Sequence, residues 1–425
     1  MNYHTTQLMN PTISSILHQL AEEAAFLWHL RGGILQSPHF SLSDLERFDE
    51  RLEAQVDGLR VGGDASWEIC RSALAGDTVE GLFAPAALAF EGGNSEHLQQ
   101  VMDAMGTDRE KARAVISALG WLPYEQARPR IEQLLADESP FHRYIGMAAC
   151  AIHRHDPGPQ LTRAVNDTSP LLMARGLRAY GELGRGCELN DFRLQEYLTD
   201  HDDEIRFSAA WSASLAGIGT AVGVLRSFVA SSSRYAEKAL NVSVRCMRPE
   251  SARAWQRELA QSSETIRFAA IGAGALGDPS LVPWLIDRMD TPTIARVAGE
   301  ALTMITGIDI ELEELAGSRP KGFNAGPTDD PKDLNVAMDA DENLPWPDAD
   351  RVAAWWDKNK GRFQSGTRYF LGKPVSPEHL RLALKTGLQR QRATAALELA
   401  RMNPGRPMFE VRAPAARQRK EVAAI

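Results

Sequence analysis

Cysteine is scarce in this chain of 425 residues, which contains only four. They stand singly, without the paired spacing of a zinc site or a disulfide framework, which is typical of a reducing compartment. Because free cysteines are usually buried, we expect core positions for all of them: Cys70, Cys150, Cys187 and Cys246. The sequence predicts neither a metal site nor a cofactor.

Long apolar runs are absent as well. No stretch approaches the ~20 apolar residues that a membrane-spanning helix needs. Residues 1–12 are polar and lack the basic-then-apolar order of a signal peptide. Together these absences predict a cytoplasmic protein.

The familiar signatures of catalysis are also missing. There is no GxSxG elbow, although a Ser/His/Asp triad assembled by the fold stays open. Residues 366–374 superficially resemble a phosphate-binding loop, but Pro374 replaces the Ser or Thr that binds magnesium, so we predict a turn between two helices. His153 and His155 point apart on a helix and cannot share a metal. No catalytic residue is therefore predicted.

Positive charge is deficient overall, since the formal net charge is −9, and it is unevenly placed. Residues 309–350 carry twelve acidic and three basic side chains, whereas residues 385–425 carry nine basic and three acidic ones. This distribution argues against a duplex-DNA binder with a continuous positive face. We expect the basic end to be a solvated tail or to fold back on the acidic segment, rather than to bind nucleic acid or acidic lipid.

What the sequence does contain is a short motif that recurs about every thirty residues. An arginine opens each Ala/Gly-rich apolar run, and a weaker unit occupies residues 234–247. The arginines are Arg113, Arg143, Arg175, Arg206, Arg267 and Arg296. A turn rich in Asp, Ser and Pro precedes each run, and a Gly turn and an amphipathic helix follow it. Such a unit predicts stacked helix pairs, and hence an all-α solenoid.

This pattern resembles HEAT-like repeats in the short form of the phycobilin-lyase type. The two ends of the chain, with Trp355-Trp356, residues 366–372 and residues 389–392 among their landmarks, resemble a family of bacterial HEAT-like proteins. Members of that family are often encoded beside type VI secretion genes. The resemblance implies the fold and carries no catalytic residues with it.

The pattern also predicts how the chain is organised. Ser41 or Ser43 is expected to cap the second helix, with Glu46 as the capping-box partner of Ser43. The predicted regions are an N-terminal helical cap (1–95), the HEAT-like array (96–316), a loosely held acidic Gly/Pro-rich linker (317–345) and a C-terminal helical region with a basic tail (346–425).

Two interpretations of the arginine series are possible. Each arginine could bond the turn before it and lock one repeat to the next, or the series could form a ladder that faces an acidic ligand. Trp355 and Trp356 add a possible aromatic anchor, because adjacent helical positions point about 100° apart. The candidate partner-binding residues are Arg143, Arg175, Arg206, Arg267, Arg296, Trp355 and Trp356.

The functional prediction is a non-enzymatic scaffold or adaptor that binds another protein on the concave surface of the array. The family resemblance suggests a type VI secretion component or effector as the partner. Two alternatives stay open. One is an enzyme of the HEAT-like lyase or DNA-glycosylase kind, and the other is a nucleic-acid-binding module, which the acidic body of the array disfavours. The oligomeric state is left open.

Overall fold

A computed structural model describes residues 11–191, 194–327, 332 and 338–424. Residues 1–10, on which most of the signal-peptide argument rests, lie outside this range. Twenty-one α-helices, four short 3₁₀ helices and one two-stranded hairpin account for the regular structure of the described residues, which confirms the all-α class. None of the described helices is long and apolar enough to cross a membrane.

The chain divides into two compact units. Unit 1 comprises residues 1–183 and 410–425. Its helices are α1 (Pro11–Ile34), α2 (Leu42–Ala75), α3 (Phe83–Gly92), α4 (Ser95–Met105), α5 (Arg109–Trp121), α6 (Tyr124–Ala136), α7 (Pro140–Ile152), α8 (Pro159–Val165), α9 (Pro170–Glu182) and, at the end of the chain, α21 (Ala415–Ala423).

Unit 2 comprises residues 184–409. Its helices are α10 (Leu194–Leu198), α11 (Asp203–Leu215), α12 (Thr220–Ala230), α13 (Ala236–Cys246), α14 (Pro249–Leu259), α15 (Ile266–Leu276), α16 (Val282–Arg288), α17 (Ala295–Thr306), α18 (Ala349–Asn359), α19 (Pro377–Thr386) and α20 (Gln389–Met402). Its hairpin consists of β1 (Tyr369–Phe370) and β2 (Lys373–Pro374), paired antiparallel.

Helices of the same kind stack in sequence order within each unit. The small-residue helices α5, α7 and α9 pack in succession in unit 1, and α11, α13, α15 and α17 do so in unit 2. The amphipathic helices of the repeats pack beside them. This arrangement is that of a HEAT-like solenoid and confirms the predicted repeat.

Glycine and alanine allow these helices to approach closely. A Cβ added to Gly146 would lie 2.9 Å from the amide nitrogen of Leu135. One added to Gly274 would lie 2.9 Å from the Cα of Ala301, on the next small-residue helix. The Ala/Gly content of the motif therefore follows from backbone-to-backbone packing between helices.

Side-chain caps are present at several helix starts that the sequence marks with Asp, Ser or Pro, although Ser169 makes no cap bond at the start of α9. Ser139 and Asp202 accept backbone amides at the starts of α7 and α11, and Asp348 does so for α18. For α2, Ser41 is the cap, as one of the two predicted alternatives had it, and the pairing of Ser43 with Glu46 was wrong. The helix begins one residue after Ser41, so Asp44 is the third helical residue and completes the capping box.

The C-terminal segment, residues 410–424, packs against the N-terminal helices of unit 1. The Asp49 carboxylate accepts from the Ala415 amide at 2.7 Å, and it also binds the Arg31 guanidinium at 2.7 and 3.1 Å. Arg31 in turn donates to the carbonyl oxygens of Arg412 and Ala413, both at 3.0 Å. Residues 410–424 are therefore neither a solvated tail nor folded on residues 309–350, because buried Asp49 and Arg31 need these partners. Within the basic region 385–425, Arg390 is a residue that does contact the acidic segment, at Ala340.

The cysteines follow the prediction at two positions. Cys70 and Cys150 are buried, and burial raises the pKa of each thiol to about 12. Cys246 is half-buried. Cys187 is exposed, so the prediction of a core position was wrong there. Residues 186–191 form a 3₁₀ turn between repeats rather than a packed helix, and this placement explains the difference.

The segment around residue 370 lies between α18 and α19, as the predicted turn does, and it takes the form of the β1–β2 hairpin. The Tyr369 amide donates to the Gly277 carbonyl oxygen at 2.7 Å. The Leu371 amide donates to the Met304 carbonyl oxygen at 2.8 Å. The hairpin thus satisfies carbonyl groups at the C-terminal ends of α15 and α17, which have no partner within their own helices.

We predict that substitution of Gly277 will disrupt this hairpin contact. Gly277 has a left-handed backbone (φ 72°), and an added Cβ would lie 2.2 Å from the Tyr369 carbonyl oxygen. Gly217 provides a matched control, because it is also left-handed (φ 85°) but has open space around it. Both alanine variants should lose about 1–2 kcal/mol for the backbone conformation. Gly277→Ala should lose about 2 kcal/mol more.

Urea unfolding of the full chain measures the difference between the two variants. Equal destabilisation would show that the hairpin does not constrain the end of α15.

His153 connects α21 to the repeats of unit 1 through its neutral form. Its Nε2–H donates to the Leu119 carbonyl oxygen at 2.9 Å, and its Nδ1 accepts from Arg417 at 2.7 Å. Protonation of Nδ1 would remove the acceptor and place two cations in contact. Burial, followed by the charge of Arg417, lowers the pKa of His153 from 6.5 to about 4.

We therefore predict an acid-sensitive contribution to the stability of unit 1. A lowered folded-state pKa means that the stabilisation is complete above pH 6.5 and is lost as the pH falls towards 4. The loss should reach about 3 kcal/mol. His153→Gln should remove this pH dependence, whereas His155→Gln, at an exposed neighbour, should retain it. NMR titration of the imidazole resonances gives the pKa directly, and a His153 midpoint near 6.5 would contradict the proposed contact.

Candidate partner-binding surface

Five turns of the described chain share one hydrogen-bonded structure, and three of them, at Asp137, Asp167 and Asp200, open repeats. In each, an aspartate Oδ1 accepts the backbone amide two residues further on, at 2.8 to 3.0 Å. The five turns have the pattern Asp-x-Ser or Asp-x-Asp and begin at Asp137, Asp167, Asp200, Asp278 and Asp339. One carboxylate oxygen shapes the turn, so the other is free to accept from an arginine.

Arg143 uses this second oxygen to join consecutive repeats. Its Nη1 donates to the carbonyl oxygens of Asp137 and Glu138, at 2.9 and 2.7 Å, in the turn of its own repeat. Its Nη2 donates at 2.6 Å to Asp167, in the next turn. Burial would raise the pKa of Asp167, but the Ser169 amide and Arg143 hold that pKa below its ordinary value. At Arg143 the geometry is that of the repeat-locking interpretation.

A cleft of about 340 Å³ lies beside this lock, between consecutive repeats of unit 1. Arg143 and Asp167 form part of its wall, together with Gln160 and Arg163 from α8 and the apolar Met147. Arg163 is exposed, and its guanidinium can therefore reach a molecule in solution. The cleft combines apolar surface with several polar groups, as binding sites in proteins commonly do.

Arg175 and Arg206 form ion pairs and hydrogen bonds with neighbouring residues of the chain. Arg175 and Arg178 both bond Glu182. Burial would raise the pKa of Glu182, but the nearby arginines lower it well below its usual range. Arg206 donates to the Asp200 carbonyl oxygen at 2.5 Å and to Asp203, and its guanidinium lies 5.2 Å from the Phe228 ring.

Arg267 and Arg296 lie on successive small-residue helices and bind one segment. We call residues 339–342 the acidic turn. Arg267 donates to both carboxylate oxygens of Asp341, at 2.6 and 2.7 Å. Arg296 donates to Asp339 at 2.5 Å and to the Asp341 carbonyl oxygen at 2.7 Å. The bond with Asp341 raises the pKa of Arg267.

The acidic turn lies in the predicted loosely held linker. Asp341 is 6% exposed, so the described part of the segment near it is held rather than loose. The cause is the pair of arginines, each of which requires a carboxylate. Residues 328–331 and 333–337 of the predicted linker lie outside the described residues.

Arg390 completes the arginine cluster that holds the acidic turn. It donates to the Ala340 carbonyl oxygen at 3.2 Å and to both oxygens of Glu300, at 3.0 and 2.9 Å. Burial raises the pKa of Glu300 despite this bond. The sequence pattern did not single out Arg390, although it lies within the landmark segment 389–392.

Trp355 and Trp356 differ in burial, as adjacent residues on a helix should. Trp356 is buried against Phe363, with ring centroids 5.4 Å apart. Trp355 is partly exposed. Of the two, Trp355 is therefore the residue whose surface a partner can contact.

Sequence reasoning also missed Glu398, a second centre of charge in unit 2. It is 2% exposed and bonds Arg245, Arg368 and Arg401. Burial would raise the pKa of Glu398, but the arginines lower it. No local signal marks a lone Glu in a helix as a charge centre. The acidic turn, in contrast, carries the Asp-x-Asp pattern of the repeat turns, and that recurrence could have revealed it.

We predict that Arg143→Gln will destabilise unit 1 by about 1–2 kcal/mol, because it removes charge-assisted bonds to two turns. Arg113 occupies the same motif position, but its pair with Glu110 is exposed. Arg113→Gln should therefore change the free energy of unfolding by less than about 0.5 kcal/mol. Urea unfolding of both variants tests the difference. A neutral Arg143→Gln would refute the repeat-locking role.

Among the described residues, no group of three His, Cys, Asp or Glu side chains is placed to hold a metal ion. No protein-family model matches this sequence, and no curated protein matches it.

Proposed function

We propose that this protein is a non-enzymatic scaffold or adaptor whose repeats bind another protein. One observation carries the proposal. Arg267 and Arg296 occupy equivalent positions on successive repeats, and both bind the acidic turn, which belongs to neither repeat. Repeat-equivalent arginines of this fold can therefore hold a peptide across a repeat boundary.

The cleft in unit 1 supports the same function. It lies at a boundary between repeats and carries exposed Arg163 at its side. Arginine and tryptophan are enriched among the residues that dominate binding energy in protein interfaces. The proposed contact residues remain Arg143, Arg175, Arg206, Arg267, Arg296, Trp355 and Trp356. Two members of this set are less accessible to a partner, because Trp356 in unit 2 is buried and Arg175 in unit 1 bonds Glu182.

The finer part of the proposal concerns the partner. The sequence of the two chain ends resembles a family often encoded beside type VI secretion genes. We therefore propose a component or effector of such a system as the partner, met in the cytoplasm during assembly or loading. The support for this step is the resemblance alone.

Affinity purification with chemical crosslinking and mass spectrometry tests the scaffold function. The full chain is recovered from cells with an active type VI secretion system. We expect a stoichiometric protein partner with crosslinks to residues 96–315. Arg163→Glu should reduce the recovered partner at least about tenfold, which corresponds to about 1.4 kcal/mol of binding energy.

The matched control is Arg257→Glu, which makes the same charge change at an exposed position on α14. It should leave recovery unchanged. The scaffold proposal fails if no protein partner is recovered. If Arg163→Glu and Arg257→Glu reduce recovery equally, the cleft is not part of the binding surface.

A further inference from the structure

The acidic turn occupies its arginine cluster in the way that a bound peptide would. Asp341 supplies both carboxylate oxygens to Arg267, Asp339 binds Arg296, and the Ala340 carbonyl oxygen accepts from Arg390. The contacts are therefore made by two side chains and the backbone of a tripeptide. A separate chain with the same Asp-x-Asp sequence could make all of them.

Few apolar contacts hold the acidic turn in place. Met338 is 76% exposed, and Ala340 and Glu342 are also exposed. Leu344 is the buried apolar side chain among residues 338–345. Because charge pairs rather than apolar burial provide the attachment, release of the turn exposes little apolar surface to water.

The arginine cluster would destabilise the fold if no carboxylate occupied it. Arg296 is only 4% exposed, and a buried guanidinium without a carboxylate is strongly destabilising. Glu300, bonded by Arg390, is the carboxylate that still contacts the cluster when the turn leaves. Exchange of one acidic peptide for another avoids the cost, since an equivalent carboxylate replaces the one that is lost.

The cluster is also held in shape by groups outside the turn. The Arg296 guanidinium lies 4.5 Å from the centre of the Trp346 ring and 5.9 Å from that of Phe323. These cation–π contacts keep the guanidinium oriented, and a site already in its binding geometry loses less entropy when a ligand binds.

We propose that Arg267, Arg296 and Arg390 form a receptor for an Asp-x-Asp turn of a partner protein. Residues 339–342 occupy the receptor within the chain and leave it when the partner binds. The repeat-opening turns show the same chemistry in a permanent form, because Arg143 binds Asp167 of the next Asp-x-Ser turn. This inference rests on the proposed scaffold function and names the chemistry of the partner.

A labelled peptide with the sequence of residues 338–345 tests the proposal by fluorescence anisotropy. The proteins are the full-length wild type and D339N/D341N, which keeps the shape of the turn but removes its charges. A tethered turn competes at an effective concentration on the order of millimolar. We therefore expect the peptide to bind D339N/D341N at least about tenfold more tightly than the wild type.

Two controls make the result specific. A peptide with asparagine at both aspartate positions should not bind, and adding Arg267→Gln to D339N/D341N should abolish binding of the acidic peptide. Equal affinity of the acidic peptide for wild type and D339N/D341N, or equal affinity of the two peptides, would overturn the proposal. Thermal unfolding establishes that each variant is folded.

A second measurement uses only the wild type and so does not depend on variant folding. The Glu342 amide donates to the Asp339 carbonyl oxygen at 3.1 Å, and the Leu344 amide donates to that of Asp341 at 2.9 Å. Excess acidic peptide should increase the hydrogen exchange of residues 338–345, measured by mass spectrometry, while the asparagine peptide should not. Unchanged exchange at saturating peptide contradicts displacement.

These outcomes are distinct from those of the scaffold experiment. A partner crosslinked to the repeats together with no peptide binding would leave the scaffold function standing and refute the receptor. Peptide binding without a recovered cellular partner would support the receptor and refute the scaffold function.

Discussion

An arginine paired with a buried carboxylate is the interaction on which both units depend. In unit 1, Arg31 binds Asp49 and Arg175 binds Glu182. In unit 2, Arg245 binds Glu398, and both side chains are 3% exposed. Removal of one residue of such a pair leaves the other as a buried charge without a partner, which typically destabilises a protein by about 3–5 kcal/mol. The pairs Arg31–Asp49 and Arg245–Glu398 join different helices and therefore fix which segments of the chain must lie together.

The same interaction links architecture to function. A repeat-opening turn shapes itself with one aspartate oxygen and offers the other to an arginine, as Asp167 does for Arg143. Asp341 offers both of its carboxylate oxygens to Arg267, in a turn inserted between α17 and α18. The Arg143 contact between repeats and the proposed receptor therefore use the same arginine–carboxylate chemistry. They differ in whether the acidic turn belongs to the next repeat or to a segment that can be released.

Backbone groups at helix ends impose a second constraint. In unit 2 the hairpin around Tyr369 supplies donors to the carbonyl groups at the ends of α15 and α17, close to Gly277. In unit 1 a side chain is satisfied in a similar way, because the Asp49 carboxylate on α2 accepts from the Ala415 amide. Segments late in the sequence therefore satisfy polar groups that earlier helices leave without a partner.

The sequence by itself determined the helical class, the thirty-residue period, the Ala/Gly-rich helices and caps such as Asp202, because these depend on residues close together in the chain. Only the tertiary structure decided which carboxylate each arginine meets. Asp341 is 74 residues from Arg267, and the carbonyl group of Ala413 is 382 residues from Arg31. Any acidic residue satisfies the sequence pattern, whereas burial and geometry select one.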